Sequence, residues 1–263
     1  MNLKKILLHY KEKLYKEFNL IPVIGCELEF YINKPCPEIM QADLGIVEEQ
    51  GKNQFELRLG PTADIPLLLE GIEASKKKII KVLKKHGAKA LFVAKPFDVQ
   101  PGSALHMHLN FSQDVGGGKF EMISTVLDHA IGGLLYTLPE LMIFFAPKKD
   151  SYKRYIVKSM TSPKNISWGR NNRTTALRLV SNCVTVARIE HRVAGADVDP
   201  LGAMTAILFG AYIGMKEKIS PAPPTYGLAF DPQYDLTPLP TTLTEAKKNF
   251  TKSKFSDMFT SFV

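Results

Sequence analysis

A domain of interleaved helices and strands is what this sequence predicts, and three observations carry the expectation. The apolar pattern switches repeatedly between a period of two and a period of three to four, the signatures of half-buried strands and of amphipathic helices. Gly, Pro, Asn and Asp clusters punctuate the switches. The chain has 263 residues and 45% hydrophobic content, enough to bury a large core as one domain or as one domain with an appendage.

The elements follow in order. MNLKKILLHYKEKLYKEF, in the first 22 residues, carries charges every few positions and predicts an amphipathic N-terminal helix rather than a signal peptide. Ile24–Ile32 (IGCELEFYI) and Asn53–Leu59 (NQFELRL) alternate as strands. Ile65–Gly87 predicts an amphipathic helix and Ala88–Ala94 a strand ending at Lys95-Pro96. PGSALHMHLNFS (101–112) opens on a turn and continues as a strand, with Asp114–Gly118 (DVGGG) as its loop. Phe120–Leu138 has helical periodicity, although Gly132 and Gly133 each weaken it by about 1 kcal/mol. Ala176–Val180 and Thr185–Arg192 predict strands, and Pro200–Ile219 a buried helix. The proline-rich stretch Pro221–Pro240 cannot continue a helix or a central strand and is expected over the surface. There is no internal repeat and no low-complexity linker.

Composition excludes several classes. Lys+Arg 34 against Asp+Glu 26 gives a net charge of +8, but the basic residues are scattered, apart from Ser75–Lys85 (SKKKIIKVLKK) and the tail near Lys247–Lys254. Few aromatics interleave with those lysines, so no nucleic-acid partner is expected. Cys26, Cys36 and Cys183 are odd in number and lack CxxC spacing, which argues for a reducing, cytoplasmic compartment. No apolar run reaches the length of a membrane span.

The candidate chemistry begins with HMH. On a strand, His106 and His108 share one face while Leu105, Met107 and Leu109 take the other. A solvated edge strand can carry such a pair, so the rest of the chain must decide. Glu27 and Glu29 also share a face, opposite Cys26, Leu28 and Phe30. Two acids side by side repel unless the face is in water or carries a cation. Removing one, Glu27 or Glu190, is therefore expected to relieve repulsion. Glu48, Glu49 and Glu56 flank a turn, and Glu190 lies in ARIEHR. Carboxylates with one imidazole suit Mg²⁺ or Mn²⁺ and do not suit a closed structural zinc site. Arg154, Arg170, Arg173, Arg178, Arg188 and Arg192 recur within a short span, and clustered guanidinium forks bind phosphates or carboxylates, or else lace a solvated sheet face. Acids for metal and arginines for phosphate together point to nucleotide chemistry. No GxxxxGK[ST] loop occurs, and Gly116–Gly118 reads as a turn.

Five stretches in order, CELEF, EQGKNQFE, KPFDVQPGSALHMHLNFS, APKKDSYKRY with GRNNRTTALRL, and ARIEHRVAGADVDPL, resemble the catalytic domain of glutamine synthetase and related ATP-dependent carboxylate-amine ligases. The resemblance runs from Gly25 to the C-terminus. It implies an α+β fold, a curved antiparallel sheet backed by helices, and one catalytic domain over 1–263 with a Pro-rich and C-terminal segment at 221–263. It implies a first metal site of Glu29, Glu49 and Glu56, with Glu48 as the alternative to Glu49, and a second of Glu27, His106 and Glu190. It places His108, Lys95 and Ser103 toward ATP. Gly102 would border the glutamate subsite, Arg154 and Arg192 would hold the amino acid or the transferred phosphate, and Arg173 and Arg178 would hold phosphate. ATP is then a co-substrate, Mg²⁺ or Mn²⁺ the cofactor, and an amino acid and an amine the small-molecule partners.

The departures shape the functional expectation. Family members carry an N-terminal β-domain that lends an aspartate to the neighbouring site, whereas here CELEF begins at Cys26; the segment between the first two acid clusters is also short. The flap Glu-Ala-Pro becomes Thr161-Ser162-Pro163, removing the acid that deprotonates ammonium. A lysine before the final metal glutamate is replaced, with Val184 and Thr185 at the matching positions, and Asn-Pro becomes Asp199-Pro200. Two expectations follow: a reduced ligase that joins glutamate or a similar amino acid to an amine larger than ammonium, or a non-catalytic remnant that binds metal or nucleotide. The resemblance leaves the oligomeric state open.

Overall fold

In the computed structural model, which describes residues 1–116, 119–123, 125–156, 160–181 and 187–260, helices and strands interleave as the changes of period predict. Helix α1 (Leu3–Phe18) opens at Asn2, whose side chain accepts from Lys5 N, and closes at Asn19 in the left-handed region (φ 56°). It buries Ile6, Leu7, Tyr10 and Leu14, one stripe at helical spacing. Then follow β1 (Leu20–Ile32), β2 (Ile46–Glu48), β3 (Gln54–Thr62), α2 (Ile65–Lys85), β4 (Ala90–Leu91), β5 (Leu105–Gly116) and β6 (Lys119–Ile123). The second half holds α3 (Leu127–Phe145), α4 (Lys153–Ile156), β7 (Trp168–Arg170), β8 (Leu177–Ser181), β9 (Ala187–His191), α5 (Pro200–Lys216), α6 (Leu243–Lys252) and α7 (Lys254–Thr260).

The strands form one sheet in the order β2-β3-β1-β5-β9-β8-β7, with β4 added on β1 and β6 on β5. Every described pairing is antiparallel except β7 with β8. One face turns Cys26, Leu28 and Phe30 of β1 and Leu105, Met107 and Leu109 of β5 into the same apolar core as α3 and α5. Helix α5 is buried from Pro200 to Met215 apart from partly exposed Leu201, so it is apolar on nearly every side. Gly133 explains why α3 tolerates its glycines: a Cβ there would collide with the backbone of Gly210 and Gly214 on α5. The cost in helix propensity accompanies a close crossing of the two helices.

Several elements depart from the sequence reading. Lys119–Ile123 is not the start of a helix; it pairs with Phe111–Gly116 as the second strand of a hairpin, and α3 begins at Leu127. A short apolar run fits either period, and the free edge of β5 decides it. The DVGGG loop is correspondingly shorter, since β5 continues to Gly116; Gly117 and Gly118 lie outside the described residues. Of Ala88–Ala94 only Ala90–Leu91 is strand, because β1 offers it partners only at Tyr31 and Ile32. Thr185–Arg192 is described from Ala187 onward, and Cys183, Val184 and Thr185 lie outside the described residues. Helices α6 and α7 were not expected, although Thr242 and Glu245 form a Thr-x-x-Glu start: Thr242 Oγ1 accepts from Glu245 N (3.1 Å) and Glu245 Oε2 from Thr241 N (2.9 Å). Pro221–Pro240 is irregular, as expected, and is tied to the neighbourhood of β7 through Thr225 N to Trp168 O (2.8 Å) and Leu239 N to Lys164 O (2.8 Å).

Candidate functional site

Antiparallel register assembles the acids. On β1, Glu29 stands opposite Glu56 of β3, and Glu27 opposite His106 of β5; His108 stands opposite Glu190 of β9, which in turn faces Arg178 of β8. All these side chains project from the sheet face opposite the core, and each comes from a strand whose alternate residues the helices hold. A cleft of about 860 Å³ opens over them, although His108 does not line it. Glu27, Glu29, Glu56, His106 and Glu190 line its floor, and Arg173, Arg178, Arg192 and Gly102 its sides.

Two groups of ligand atoms lie within 4.8 Å of one another: Glu27, His106 and Glu190, and Glu29, Glu56 and His106. The first is the second metal set that the resemblance implies. In the other, His106 stands with Glu29 and Glu56; Glu49 also lines the cleft, but its Oε2 accepts from Gln50 N (2.7 Å), and Glu48 is exposed at the cleft edge. His106 Nδ1 lies 3.6 Å from Glu27, 3.8 Å from Glu29 and 3.6 Å from Glu190. These spans are too long for hydrogen bonds, and both ring nitrogens are buried without a hydrogen-bond partner. A buried imidazole ringed by carboxylates at such spans fits a divalent cation between them.

The electrostatics agree. Burial lifts Glu29 to about 8, against the opposing pull of Arg154, and lifts Glu56 with help from Glu27. Burial lowers His106 to about 4, with Arg192 adding to it, so the ring is neutral at neutral pH as a metal ligand must be. Glu27 and Glu190 behave differently. Burial opposes their ionisation too, but His106 and His108 beside Glu27, and His106 and Arg192 beside Glu190, hold both carboxyls below the usual range. Arg178 Nη1 donates to Glu190 Oε2 (2.9 Å), and Arg192 pairs with the other oxygen. The expected relief on removing Glu27 or Glu190 is therefore corrected: these two are held down by histidine and arginine neighbours, and it is Glu29 and Glu56 whose charge burial disfavours.

The remaining candidates separate. Arg173, Arg178, Arg192 and Gly102 share the cleft with the acids. Arg192 also donates from Nε to Arg173 O (3.2 Å) and from Nη2 to Thr161 O (3.1 Å), which fixes the segment where the family flap would lie. His108 takes Arg188 Nε–H on Nδ1 (3.0 Å) and brings Nε2 to 3.1 Å from Glu27 Oε1. Arg154 lies beneath the cleft, 2% exposed, donating to Val193 O (2.7 Å) and Arg192 O (3.0 Å), with its stem against Gly102. Lys95 and Ser103 are also buried and do not line the cleft; Lys95 Nζ donates to Gln100 O, and Ser103 Oγ accepts from Gln54. Sequence reasoning missed Arg58, whose Nε donates to Glu56 Oε1 (2.6 Å), and Gln54, both signalled only by lying two residues to either side of Glu56 on the same strand face.

The sequence model of the glutamine synthetase catalytic domain matches residues 40–261. The chain belongs to this family. It is 32% identical over 186 residues to the gamma-glutamylputrescine synthetase PuuA of Escherichia coli, covering 69% of this chain and 39% of that protein. It is 30% identical over 226 residues to a glutamate–isopropylamine ligase of a Pseudomonas species, covering 81% of this chain and 49% of the relative. The chain thus spans about two fifths to a half of these curated relatives. A solved GmaS–ADP complex shares the fold with a TM-score of 0.81 at 20% identity, covering 96% of this chain and 68% of that one. Among the described residues no helix is long and apolar enough to cross a membrane.

Proposed function

We propose that the chain is an ATP-dependent glutamate-amine ligase: it phosphorylates the side-chain carboxylate of glutamate or a similar amino acid and joins it to a primary amine. The observation that carries this reading is one cleft whose floor is carboxylates around a neutral, unpartnered imidazole and whose sides are arginines. Glu27, His106 and Glu190 would hold one divalent cation, and Glu29 and Glu56, with Glu49 at the rim, a second. Mg²⁺ or Mn²⁺ held there would neutralise and polarise phosphate oxygens. Arg173 and Arg178 would stabilise the charge that spreads over the moving phosphoryl group, and Arg192 and Gly102 would orient the amino acid. Arg154, beneath Gly102, would support that turn, and His108 would face the nucleotide through its contact with Glu27; Lys95 and Ser103 would act on the nucleotide side only through the turn they brace.

The chemistry balances in two steps. A glutamate carboxylate oxygen attacks the γ-phosphorus and ADP leaves; the amine nitrogen then attacks the carbonyl carbon, phosphate leaves, and the nitrogen gives its extra proton to water. Thr161 offers no carboxylate to bind or deprotonate ammonium, and with the wall segment between the acid clusters short the site has room for a larger primary amine, which is the favoured acceptor. The relatives named for putrescine and isopropylamine support that class. The non-catalytic alternative has no support among them, as both are named as ligases or synthetases.

The test is phosphate release from MgATP with glutamate and a panel of primary amines, ammonium among them. One or more amines should stimulate release well above ammonium. Arg173→Lys keeps the charge and loses the fork, so it should retain nucleotide binding while losing turnover. MgATP binding without any amine-stimulated release would end the ligase reading.

A further inference from the structure

One rung of the sheet beside the acids has no part in the chemistry described so far. Tyr31 of β1 stands opposite Gln54 of β3, two residues along each strand from the Glu29–Glu56 rung and on the same face. Both side chains are buried, at 0% and 3% exposure, so their polar atoms are expected to be engaged. They are, and on one object. Tyr31 Oη donates to Pro101 O (3.0 Å), and Gln54 Nε2 donates to Gly102 O (3.0 Å) and Ser103 Oγ (3.3 Å). Neighbouring side chains of one rung thus hold two successive carbonyls of one turn.

The rung is built to stay in place. Gln54 Oε1 accepts from Gly51 N (2.9 Å), while its backbone closes the Glu49–Gln54 turn through Glu49 N to Gln54 O (2.9 Å). Gly51 leaves the space this needs, since a Cβ there would collide with Tyr31 Oη and Gln54 Oε1. The turn's far end is fixed separately, by Ala104 N to Glu29 Oε2 (2.8 Å). Ser103 is held besides by its own backbone, through Ser103 N to Ala94 O (2.9 Å) and Ala196 N to Ser103 O (3.0 Å). The rung therefore acts on the carbonyls of Pro101 and Gly102, the part of the turn that lines the cleft.

We propose that Tyr31 and Gln54 are positioning residues for the amino-acid substrate: they set the height of Pro101 and Gly102 above the acid rung, and so set affinity for glutamate without touching the cations. The proposal rests on reading the cleft as a glutamate site. Its test is made on the full chain with Tyr31→Phe, Gln54→Met and the double variant. Glutamate affinity is measured by calorimetry at saturating Mn²⁺, and Mn²⁺ affinity by the electron paramagnetic resonance of the free ion. Tyr31→Phe should weaken glutamate about fivefold, the loss expected for one hydrogen bond, and Gln54→Met, which removes three, should weaken it more. The double variant should lose more than the product, because either tether alone still holds the turn. Mn²⁺ affinity should stay within about twofold of the parent, a split that a general loosening of the fold would not give. Thermal melts identify any variant that fails to fold, and Tyr31→Phe, which removes a single oxygen, keeps the test open if Gln54→Met does.

Unchanged glutamate affinity in folded variants overturns the proposal and leaves the ligase reading standing, as does a parallel loss of glutamate and Mn²⁺. A parent that binds Mn²⁺ but no glutamate overturns both. Selective loss of glutamate in the variants, with no amine able to drive phosphate release in the parent, upholds the rung and ends the ligase reading.

Discussion

Met107 and His106 are neighbours on β5 and almost equally dry, 1% and 4% exposed, but they face opposite sides of the sheet and solve opposite problems. Met107 packs into the apolar core, where its burial is complete as it stands. His106 is buried among three carboxylates at 3.6 to 3.8 Å with no hydrogen bond. Burial alone does not distinguish a core from a site. The difference lies in whether burial suits the group: on the acid face both ring nitrogens of His106 lack a partner, and burial disfavours the charge of Glu29 and Glu56 despite their single hydrogen bonds to Ala104 N and Arg58.

The largest test of this contrast is a pair of substitutions. Met107→Ala should cost about 2–5 kcal/mol, the loss of a packed side chain plus the cavity left behind. Glu29→Gln should instead raise the melting temperature of the metal-free protein, because it removes a buried carboxyl that burial already disfavours as an anion. Denaturant melts of the two variants side by side check this, and a destabilising Glu29→Gln would show that the acid face is satisfied without a cation.

Next in size is the cation itself. Mg²⁺ or Mn²⁺ should raise the melting temperature of the parent, and Glu27→Ala should abolish the gain. Glu190→Ala should abolish it too, but from a lower starting point, because Arg178 and Arg192 lose their partner. Equal starting melting temperatures for Glu190→Ala and the parent would contradict the pairing.

A pH series sharpens the same point. Glu29 is raised from 4.5 to about 8, so the folded metal-free protein binds a proton that the unfolded chain has already released in that window. Metal-free stability from this group is thus full below about 4.5 and falls as pH rises through about 8. A cation replaces that proton, so the cation-induced rise in melting temperature should grow with pH across the window. A flat response would remove Glu29 from the cation site. The smallest effect is expected from Arg58→Gln. Arg58 is 60% exposed at the side chain, so its pair with Glu56 is screened. Its removal should shift the metal-free melting temperature little and strengthen the cation response by about twofold at most, as Glu56 loses a competing charge.

Much of the acid face is legible in the order of residues. Period-two alternation places Glu27 with Glu29 and His106 with His108, and the ordered family stretches name the remaining acids and the arginines. The hairpin at Lys119–Ile123 is not legible, since five residues fit both periods and the deciding partner is the free edge of β5. Gln54 and Tyr31 are not legible either: a strand glutamine and a strand tyrosine are ordinary, and their importance comes from a distant turn, at separations of 48 and 70 residues.

By itself the sequence determined faces. Because side chains alternate along a strand, the order of residues settles which of them point together, and no distant contact can change it without shifting the register. The tertiary structure alone decided charge balance. Whether a carboxylate is pushed up like Glu29 or held down like Glu190 depends on which strand lies beside it and what that strand carries, and strands adjacent in this sheet are distant in the chain. Coulomb attraction and desolvation act over a few ångströms of space whatever the separation in sequence, so four acids that look alike as letters fall into two held down by histidine and arginine neighbours and two that burial pushes up.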